Sequence, residues 1–129
     1  MFATDLRSDK YSELKANPWA ELSWYFSETR QQFRLLGQVE FLSTGEAVAR
    51  VWQSMPEPSR RSFTWPEPGK IRAGPSAYSQ QPPEFPPSNF LILLLAPERV
   101  DHLDLRPFPH ERNIYRKRNE HWTQESVNP

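Results

Sequence analysis

The sequence contains no cysteine and only four glycines among its 129 residues. Without cysteine there are no disulfides, no thiolate nucleophile and no cysteine-ligated metal site, which suits a reducing compartment and leads us to expect a cytoplasmic protein. So few glycines exclude a Rossmann or P-loop phosphate site, since both depend on glycine-rich loops. Any chemistry here depends on a bound cofactor or on oxygen and nitrogen side chains.

The chain also lacks an excess of charge and a long hydrophobic run. Sixteen Lys and Arg residues balance sixteen Asp and Glu residues, so there is no overall positive field to attract nucleic acid or anionic lipid. The longest apolar run, residues 90–96, is far too short to span a bilayer, and the N-terminus lacks the apolar core of a signal peptide. We therefore expect neither nucleic acid nor a membrane among its partners.

Short strand patterns dominate what is present, within a length, residues 1–129, that fits a single domain. Alternating or continuous apolar patterns predict strands at 2–4, 21–26, 32–41, 90–95, 100–105, 112–115 and 121–127. Gly37 interrupts the best of them and predicts a bend or bulge. Many short strands without βαβ alternation favour a mainly β fold, an antiparallel barrel with appended helices.

Helices are expected at three places. Ser8 is a suitable N-cap for a helix over 9–16, and Ser43-Thr44-Gly45-Glu46 has the spacing of a capping box before a second helix that ends ahead of Pro56. A short third helix is expected within 56–63. Residues 65–87 are rich in proline and predict a long loop with little regular structure.

Three groups of polar residues are candidates for chemistry. Thr4, Arg7, Ser8 and Lys10 lie where a strand meets a helix, and a helix start with nearby cations is a ready phosphate site. Spacing alone, however, favours an N-capped helix with solvated charges.

The second group is Gln32 with Arg34, which alternation places on one face of a strand, either toward a ligand or toward solvent. The third is His102 with His110 and Arg112. His102 is open to three interpretations, a metal ligand, a general base or a hydrogen-bonded core histidine, of which the last is commonest. The three histidines lack the tight spacing of a metal site, so we expect no metal.

Several motifs follow one another in a fixed order: Phe2-Ala3-Thr4-Asp5-Leu6-Arg7-Ser8-Asp9-Lys10, Asn17-Pro18, Gln32 before the strand through Gly37, Val100-Asp101-His102-Leu103 and Pro109-His110-Glu111-Arg112. This order resembles the FMN-binding core of the pyridoxamine 5′-phosphate oxidases. With Phe63-x-Trp65-Pro66 added, the chain more closely resembles the divergent branch of that family known as the Alr4036-type FMN-binding domain. Single motifs are weakly specific, but their order and spacing extend over nearly the whole chain. The resemblance implies an FMN-binding split β-barrel.

The resemblance also implies a cofactor site shared by two subunits, that is, a homodimer with FMN at the subunit interface. In such a site Thr4, Arg7, Ser8 and Lys10 would hold the phosphate and ribityl chain, Gln32 would lie beside the isoalloxazine ring, and His102 and Arg112 would reach the flavin from the partner chain. No residue is assigned a catalytic role.

Two departures from the family pattern shape the expected function. The oxidases begin their core with strands whose Arg and Lys contact the FMN phosphate, and this chain starts after that point, so we expect an N-terminally short domain. The substrate-phosphate signature is only partly present over 108–112. We therefore expect a flavin-dependent oxidoreductase of unknown substrate rather than a pyridoxamine phosphate oxidase, with a non-catalytic FMN-binding module or a cofactor-free scaffold as alternatives.

Overall fold

The computed structural model describes every residue from Met1 to Pro129 and is mainly antiparallel β-structure. Its elements in chain order are β1 (Phe2–Asp5), α1 (Asp9–Ala16), β2 (Trp19–Phe26), β3 (Gln31–Leu42), α2 (Glu46–Ser54), α3 (Glu57–Ser62), a 3-10 turn (Pro75–Ala77), β4 (Phe90–Asp104), β5 (Glu111–Arg118) and β6 (His121–Val127). None of the helices is long and apolar enough to cross a lipid bilayer.

The chain divides into two compact units, and strands β3 and β4 run through both. The helical unit comprises Met1–Asn17 with Glu40–Leu94, and the sheet unit comprises Pro18–Val39 with Leu95–Pro129. In the helical unit, β1 pairs antiparallel with the beginning of β4. In the sheet unit the strand order is β2-β3-β4-β5-β6. The expectation of a single domain over residues 1–129 remains a prediction.

The core of the helical unit forms around α2. This helix places Val48 and Trp52 four residues apart on one face, and each is 1% exposed. They pack with Phe63, Phe90 and Ile92, and the rings of Trp52, Phe63 and Phe90 meet edge to face with centroids 4.9 to 5.7 Å apart. Because burying one large apolar side chain contributes about 1.5 to 3 kcal/mol, this cluster is a principal source of the unit's stability.

Hairpins organise the sheet unit. Strands β2 and β3 pair in continuous register from Trp19 opposite Gln38 to Phe26 opposite Gln31, and β5 pairs with β6 in the same antiparallel manner. Each of these hairpins turns through residues that include a positive φ angle, 50° at Arg30 and 55° at Asn119. The hairpins expected from the sequence are therefore present.

Two expectations about strands are corrected. The apolar run and the alternating segment at 90–95 and 100–105 form one strand of 15 residues, β4, rather than two. Gly37 forms no bulge against β2, since it pairs with Ala20 in unbroken register. A Cβ at position 37 would lie 2.0 Å from the carbonyl oxygen of Ala96, so glycine is required there by the close approach of another backbone segment.

The helix starts also differ in detail from the sequence patterns. Helix α2 is capped by Gly45, whose φ of 101° is in a region open to glycine, and no side chain caps the helix. The predicted capping box is thus wrong. Helix α1 covers the expected 9–16 with Ser8 at the N-cap, but the Ser8 side chain makes no cap hydrogen bond.

The proline-rich loop contains only the 3-10 turn as regular structure, as expected, yet hydrogen bonds hold it in several places. The indole N–H of Trp65 donates to the carbonyl of Ser79 at 3.0 Å. Arg61 donates to the carbonyl of Gln80 at 3.1 Å, and the indole N–H of Trp52 donates to that of Glu84 at 3.2 Å. The core residue Trp52 thus connects this loop directly to α2.

Candidate functional site

The junction between β1 and α1 is organised by the carboxylate of Asp5. It accepts three hydrogen bonds from Arg7, from the backbone N–H at 2.8 Å, from Nε at 3.0 Å and from Nη2 at 2.7 Å. It also accepts one from Nδ2 of Asn89 at 2.8 Å. Sequence analysis did not single out Asp5, although its place two residues before an arginine at a strand end was the available signal.

Arg7 is largely committed to bonds inside the helical unit. Besides the pair with Asp5, Nη1 donates to the carbonyl of Trp65 at 3.0 Å and Nη2 donates to that of Phe63 at 3.3 Å. A guanidinium has five N–H groups, and these bonds leave one free, on Nη1. Arg7 therefore anchors the start of the proline-rich loop and retains a single donor for a ligand.

The protonation states of Asp5 and Arg7 follow from these hydrogen bonds. Burial by itself would raise the pKa of the Asp5 carboxyl, but the hydrogen bonds from Arg7 and Asn89 outweigh it and leave the pKa below its ordinary value. The same hydrogen bonds to Asp5 raise the pKa of Arg7. The two groups are an ion pair at every physiological pH, so the positive charge of Arg7 is locally compensated.

The other three predicted residues of the junction are arranged differently. The hydroxyl of Ser8 donates to the carbonyl of Asp5 at 2.7 Å, while Thr4 is buried at 7% exposure. Lys10 is exposed in the first turn of α1 and forms no ion pair. The Tyr11 N–H donates to the Ser8 carbonyl at 3.0 Å. The first N–H groups of a helix have no partner within the helix, so the Lys10 side chain and the amides of Asp9 and Lys10 are the least committed donors at the junction.

A second group of predicted residues meets in the sheet unit. Gln32, Arg34, Asp101, Leu103 and Arg112 line a cleft of about 200 Å³. Gln32 donates to the Ser23 hydroxyl at 3.3 Å, and Arg34 donates to Glu21 at 2.8 and 2.9 Å. The structure thus brings Gln32, Arg34 and Arg112 together, as polar side chains on one face of neighbouring strands.

Arg112 is paired with Asp101 within this cleft. Nε and Nη2 donate to the two carboxylate oxygens at 2.9 and 2.6 Å, and Asp101 is only 6% exposed. These hydrogen bonds lower the pKa of Asp101 and raise that of Arg112. Sequence patterns placed Asp101 only within the Val100-Asp101-His102-Leu103 motif. In the β4–β5 register Leu103 lies opposite Arg112, and Asp101, two residues along β4 on the same face, is the diagonal neighbour of Arg112.

His102 does not line this cleft. Its ring stacks on Phe33, with centroids 4.4 Å apart and planes 8° apart, and Nε2 is buried without a hydrogen-bond partner. His102 is therefore not a core histidine whose Nε2 is hydrogen-bonded, which was the commonest of its three interpretations. His110 is exposed, with Nδ1 3.0 Å from the carbonyl of Pro107. No group of three or more His, Asp or Glu side chains is placed to hold a metal ion.

Comparisons with known proteins all point to one family. A model of the pyridoxamine 5′-phosphate oxidase FMN-binding domain matches residues 1–43. The Arabidopsis thaliana protein named pyridoxine/pyridoxamine 5′-phosphate oxidase 2 is 34% identical, over 98% of this chain and 70% of its own. The Pseudomonas putida oxidase is 29% identical, over 99% of this chain and 64% of its own. The chain thus spans about two thirds of the length of these relatives.

Solved structures agree with these relatives. A pyridoxamine 5′-phosphate oxidase-related, FMN-binding protein from Nostoc punctiforme has a TM-score of 0.92 and 39% identity, over 99% of this chain and 72% of that one. PhzG from Burkholderia lata has a TM-score of 0.82 at 21% identity, over 99% and 67%, and so shows the fold alone. The expected fold, mainly antiparallel β in the split-barrel class, and the expected family cofactor, FMN, are confirmed. This chain belongs to the pyridoxamine 5′-phosphate oxidase family of FMN-binding proteins.

Proposed function

We propose that this chain binds FMN between two identical subunits and serves as a flavin-dependent oxidoreductase in the cytoplasm. The observation that carries the proposal is the β1–α1 junction, which lies within the segment matched by the FMN-binding family model. There the Lys10 side chain and the backbone amides of Asp9 and Lys10 offer donors for a phosphate group, beside the acidic side chain of Asp9 in the same turn. Thr4, Ser8 and the last N–H of Arg7 complete the proposed phosphate and ribityl site.

The sheet unit supplies the remaining proposed contacts with the cofactor. Gln32 lines the small cleft, and Arg112 is fixed in orientation by Asp101. His102 presents a buried Nε2 with no partner in the chain, and such an atom gains most from a hydrogen bond to an incoming group. FMN supplies the redox chemistry when bound, while these residues bind and orient it.

Exposed aromatic side chains on β2 support the proposed dimer. Trp24 and Phe26 stack at 5.3 Å and Phe26 meets Phe33 edge to face, yet Trp24 and Phe26 are 52% and 42% exposed. Aromatic residues are enriched at the centres of protein interfaces. A second copy of the chain is therefore the proposed cover for this row, and the oligomeric state in solution by light scattering tests it. A monomer that still binds FMN contradicts the shared site.

The phosphate assignment is tested most cleanly at Lys10, because removing it disturbs no bond inside the chain. We expect Lys10→Ala to weaken FMN binding by about 1 kcal/mol, the lower end for a charged hydrogen bond at an exposed position. Fluorescence titration of FMN measures this. Lys15→Ala, at the other end of α1, is the control and should bind FMN normally. Equal affinity of the Lys10 variant and the wild type contradicts the assignment.

A second candidate function, a non-catalytic FMN-binding module, is favoured by a specific observation. Two of the proposed cofactor-facing cations, Arg7 and Arg112, are paired with Asp5 and Asp101, which reduces the charge available to an anionic substrate or to reduced flavin. Assays of the FMN-loaded protein with pyridoxamine 5′-phosphate and with reduced nicotinamide separate the candidates. Turnover establishes an oxidoreductase, whereas stable flavin binding without turnover of either compound favours the binding module.

A further inference from the structure

Strand β2 forms one edge of the sheet unit, since β3 is its only neighbour in the strand order. It contains no lysine and no proline, and its register with β3 is unbroken. Its one charged residue, Glu21, is paired with Arg34 at 2.8 Å. Lysine, proline or a bulge commonly protects an open edge from pairing with another strand. The β2 edge lacks all three.

The backbone groups of β2 alternate between its two sides. The Val39 N–H donates to the Pro18 carbonyl at 2.7 Å, and these two residues continue the β2–β3 register. In an antiparallel pair only every second residue is hydrogen-bonded to the neighbouring strand. The even-numbered residues of β2 therefore direct their N–H and C=O groups to β3. Glu21, Ser23 and Tyr25 direct theirs to the open edge.

Large side chains flank these outward backbone groups on both faces of the sheet. Trp24 and Tyr25 are 52% and 51% exposed, and successive side chains of a strand point to opposite faces. When a strand is added to an open edge, main-chain hydrogen bonds provide affinity and alternate side chains provide specificity. The β2 edge offers both.

We propose that the β2 edges of two copies of this chain pair antiparallel about a twofold axis at Ser23, so that the two sheet units form one continuous sheet. The inference rests on the dimer of the proposed function and specifies how the two copies meet. It also continues the aromatic row of Trp24 and Phe26, which a second copy is proposed to cover.

The sequence of β2 selects both the partner and the axis. Only an axis at Ser23 places all three outward residues opposite one another, Ser23 opposite itself and Glu21 opposite Tyr25. An axis at Glu21 would set two carboxylates face to face, and like charges directly opposite are destabilising. On the other face the same axis sets Leu22 opposite Trp24 of the second copy, an apolar cross-strand pair. The strand is therefore complementary to itself.

Ser23→Pro tests the backbone contacts, because it removes an N–H that β3 does not use. Proline is tolerated in edge strands where the N–H faces solvent, and circular dichroism checks that the fold is retained. Ser23→Ala is the matched control, since it also loses the hydroxyl that Gln32 contacts but keeps the N–H. Light scattering with FMN added should show dimers for wild type and Ser23→Ala and monomers for Ser23→Pro. A folded, dimeric Ser23→Pro variant overturns the proposal, as does a monomeric wild type.

Charges at the axis test the register, also where proline disturbs the strand. The Ser23 side chain is exposed, so lysine and glutamate can replace it. Dimers of Ser23→Lys alone or of Ser23→Glu alone place like charges opposite each other, and we expect them to dissociate about threefold to fivefold more readily than the wild type. In a mixture of the two variants, native mass spectrometry should find that mixed dimers predominate. A purely statistical mixture overturns the axis at Ser23.

Amide hydrogen exchange locates the contact. The N–H groups of Glu21 and Tyr25 should be protected in the wild type and exchange faster in Ser23→Pro, whereas fast exchange already in the wild type overturns edge pairing. FMN titration of the same samples separates the two proposals. A wild type that dimerises but does not bind FMN contradicts the flavin function alone, and a Ser23→Pro dimer that binds FMN contradicts edge pairing alone.

Discussion

The same tripeptide, Asp-Leu-Arg, begins at the last residue of two strands, at Asp5 in the helical unit and at Asp104 in the sheet unit. In both copies the arginine N–H donates to Oδ1, at 2.8 and 2.9 Å, and Nε donates to Oδ1 at 3.0 Å. Nη2 donates to Oδ2 at 2.7 and 2.5 Å. We call this arrangement the Asp-Leu-Arg clasp.

The correspondence extends to what each clasp holds. A carboxamide reaches Oδ2 of the aspartate in both, from Asn89 at 2.8 Å and from Gln31 at 3.1 Å. The leucine N–H also donates to a distant backbone carbonyl, from Leu6 to Asn89 at 2.8 Å and from Leu105 to Arg30 at 3.0 Å. Each clasp therefore closes a strand end onto another segment of its own unit.

The two clasps differ in the contacts that the arginine makes beyond its aspartate. The Arg7 side chain also donates to the carbonyls of Phe63 and Trp65 and is 32% exposed, whereas the Arg106 side chain is 55% exposed and hydrogen-bonds only to Asp104. The tripeptide sequence thus determines the turn, whereas the segments of the same chain packed against the arginine determine what else the turn holds in place. One clasp anchors a long loop and the other only shapes a turn.

The largest expected effect comes from removing the two aspartates. Asp5→Ala leaves Arg7 and Asn89 without their acceptor in a mostly buried position, and we expect it to lower the free energy of unfolding by about 2 to 3 kcal/mol. Asp104→Ala should lower it clearly less, because Arg106 can be hydrated. Urea unfolding measures both. Equal losses would show that the loop contacts of Arg7 add nothing to its clasp.

A smaller loss of stability is expected when each arginine is replaced by lysine, which keeps the charge but not the forked donors. Arg7→Lys keeps the charge but loses the forked contacts with two carbonyls, at an expected cost of about 1 kcal/mol. Arg106→Lys should be nearly neutral. Trypsin provides a local readout, since Lys70 and Arg72 lie in the loop that Arg7 anchors. Faster cleavage there in Arg7→Lys alone is the expected result, and equal rates in both variants contradict the anchoring role.

The sequence was sufficient for most elements because their signals are local. Alternation located the β2–β3 and β5–β6 hairpins, and apolar spacing located α2 with Val48 and Trp52 on its buried face. The long strand β4 was divided in two because its pattern changes from continuous to alternating along its length. The role of Gly37 was missed because it depends on Ala96, which is distant in sequence.

The sequence predicted which polar residues belong to the candidate site, but not how their side chains pair. Pattern and resemblance selected Gln32 and Arg112, which share a cleft, but they did not reveal that Arg112 is neutralised by Asp101. His102 was placed with them, although it stacks on Phe33 outside that cleft. Side-chain pairing depends on register between strands, and register is set by contacts that single-strand patterns do not contain.

The smallest expected effect is a difference between the two clasps in how their contribution to stability depends on pH. Hydrogen bonds lower the pKa of both aspartates, and burial opposes them in both. Burial is the largest single influence on the pKa of Asp5, whereas at Asp104 the hydrogen bonds from Arg106 are the largest, so the pKa of Asp104 falls further. A lowered folded-state pKa gives stability that is complete above the unfolded value of about 4 and is lost as pH falls through the folded value.

Thermal unfolding of the two Asp→Asn variants between neutral and acidic pH measures this difference. Each variant starts less stable than the wild type at neutral pH, and the gap in Tm should narrow only below pH of about 4, where the wild-type carboxylates begin to lose their advantage. Because the pKa of Asp104 is lowered further, the gap for Asp104→Asn should persist to a lower pH than the gap for Asp5→Asn. A gap for Asp5→Asn that persists to the lower pH would contradict the larger lowering of the pKa at Asp104.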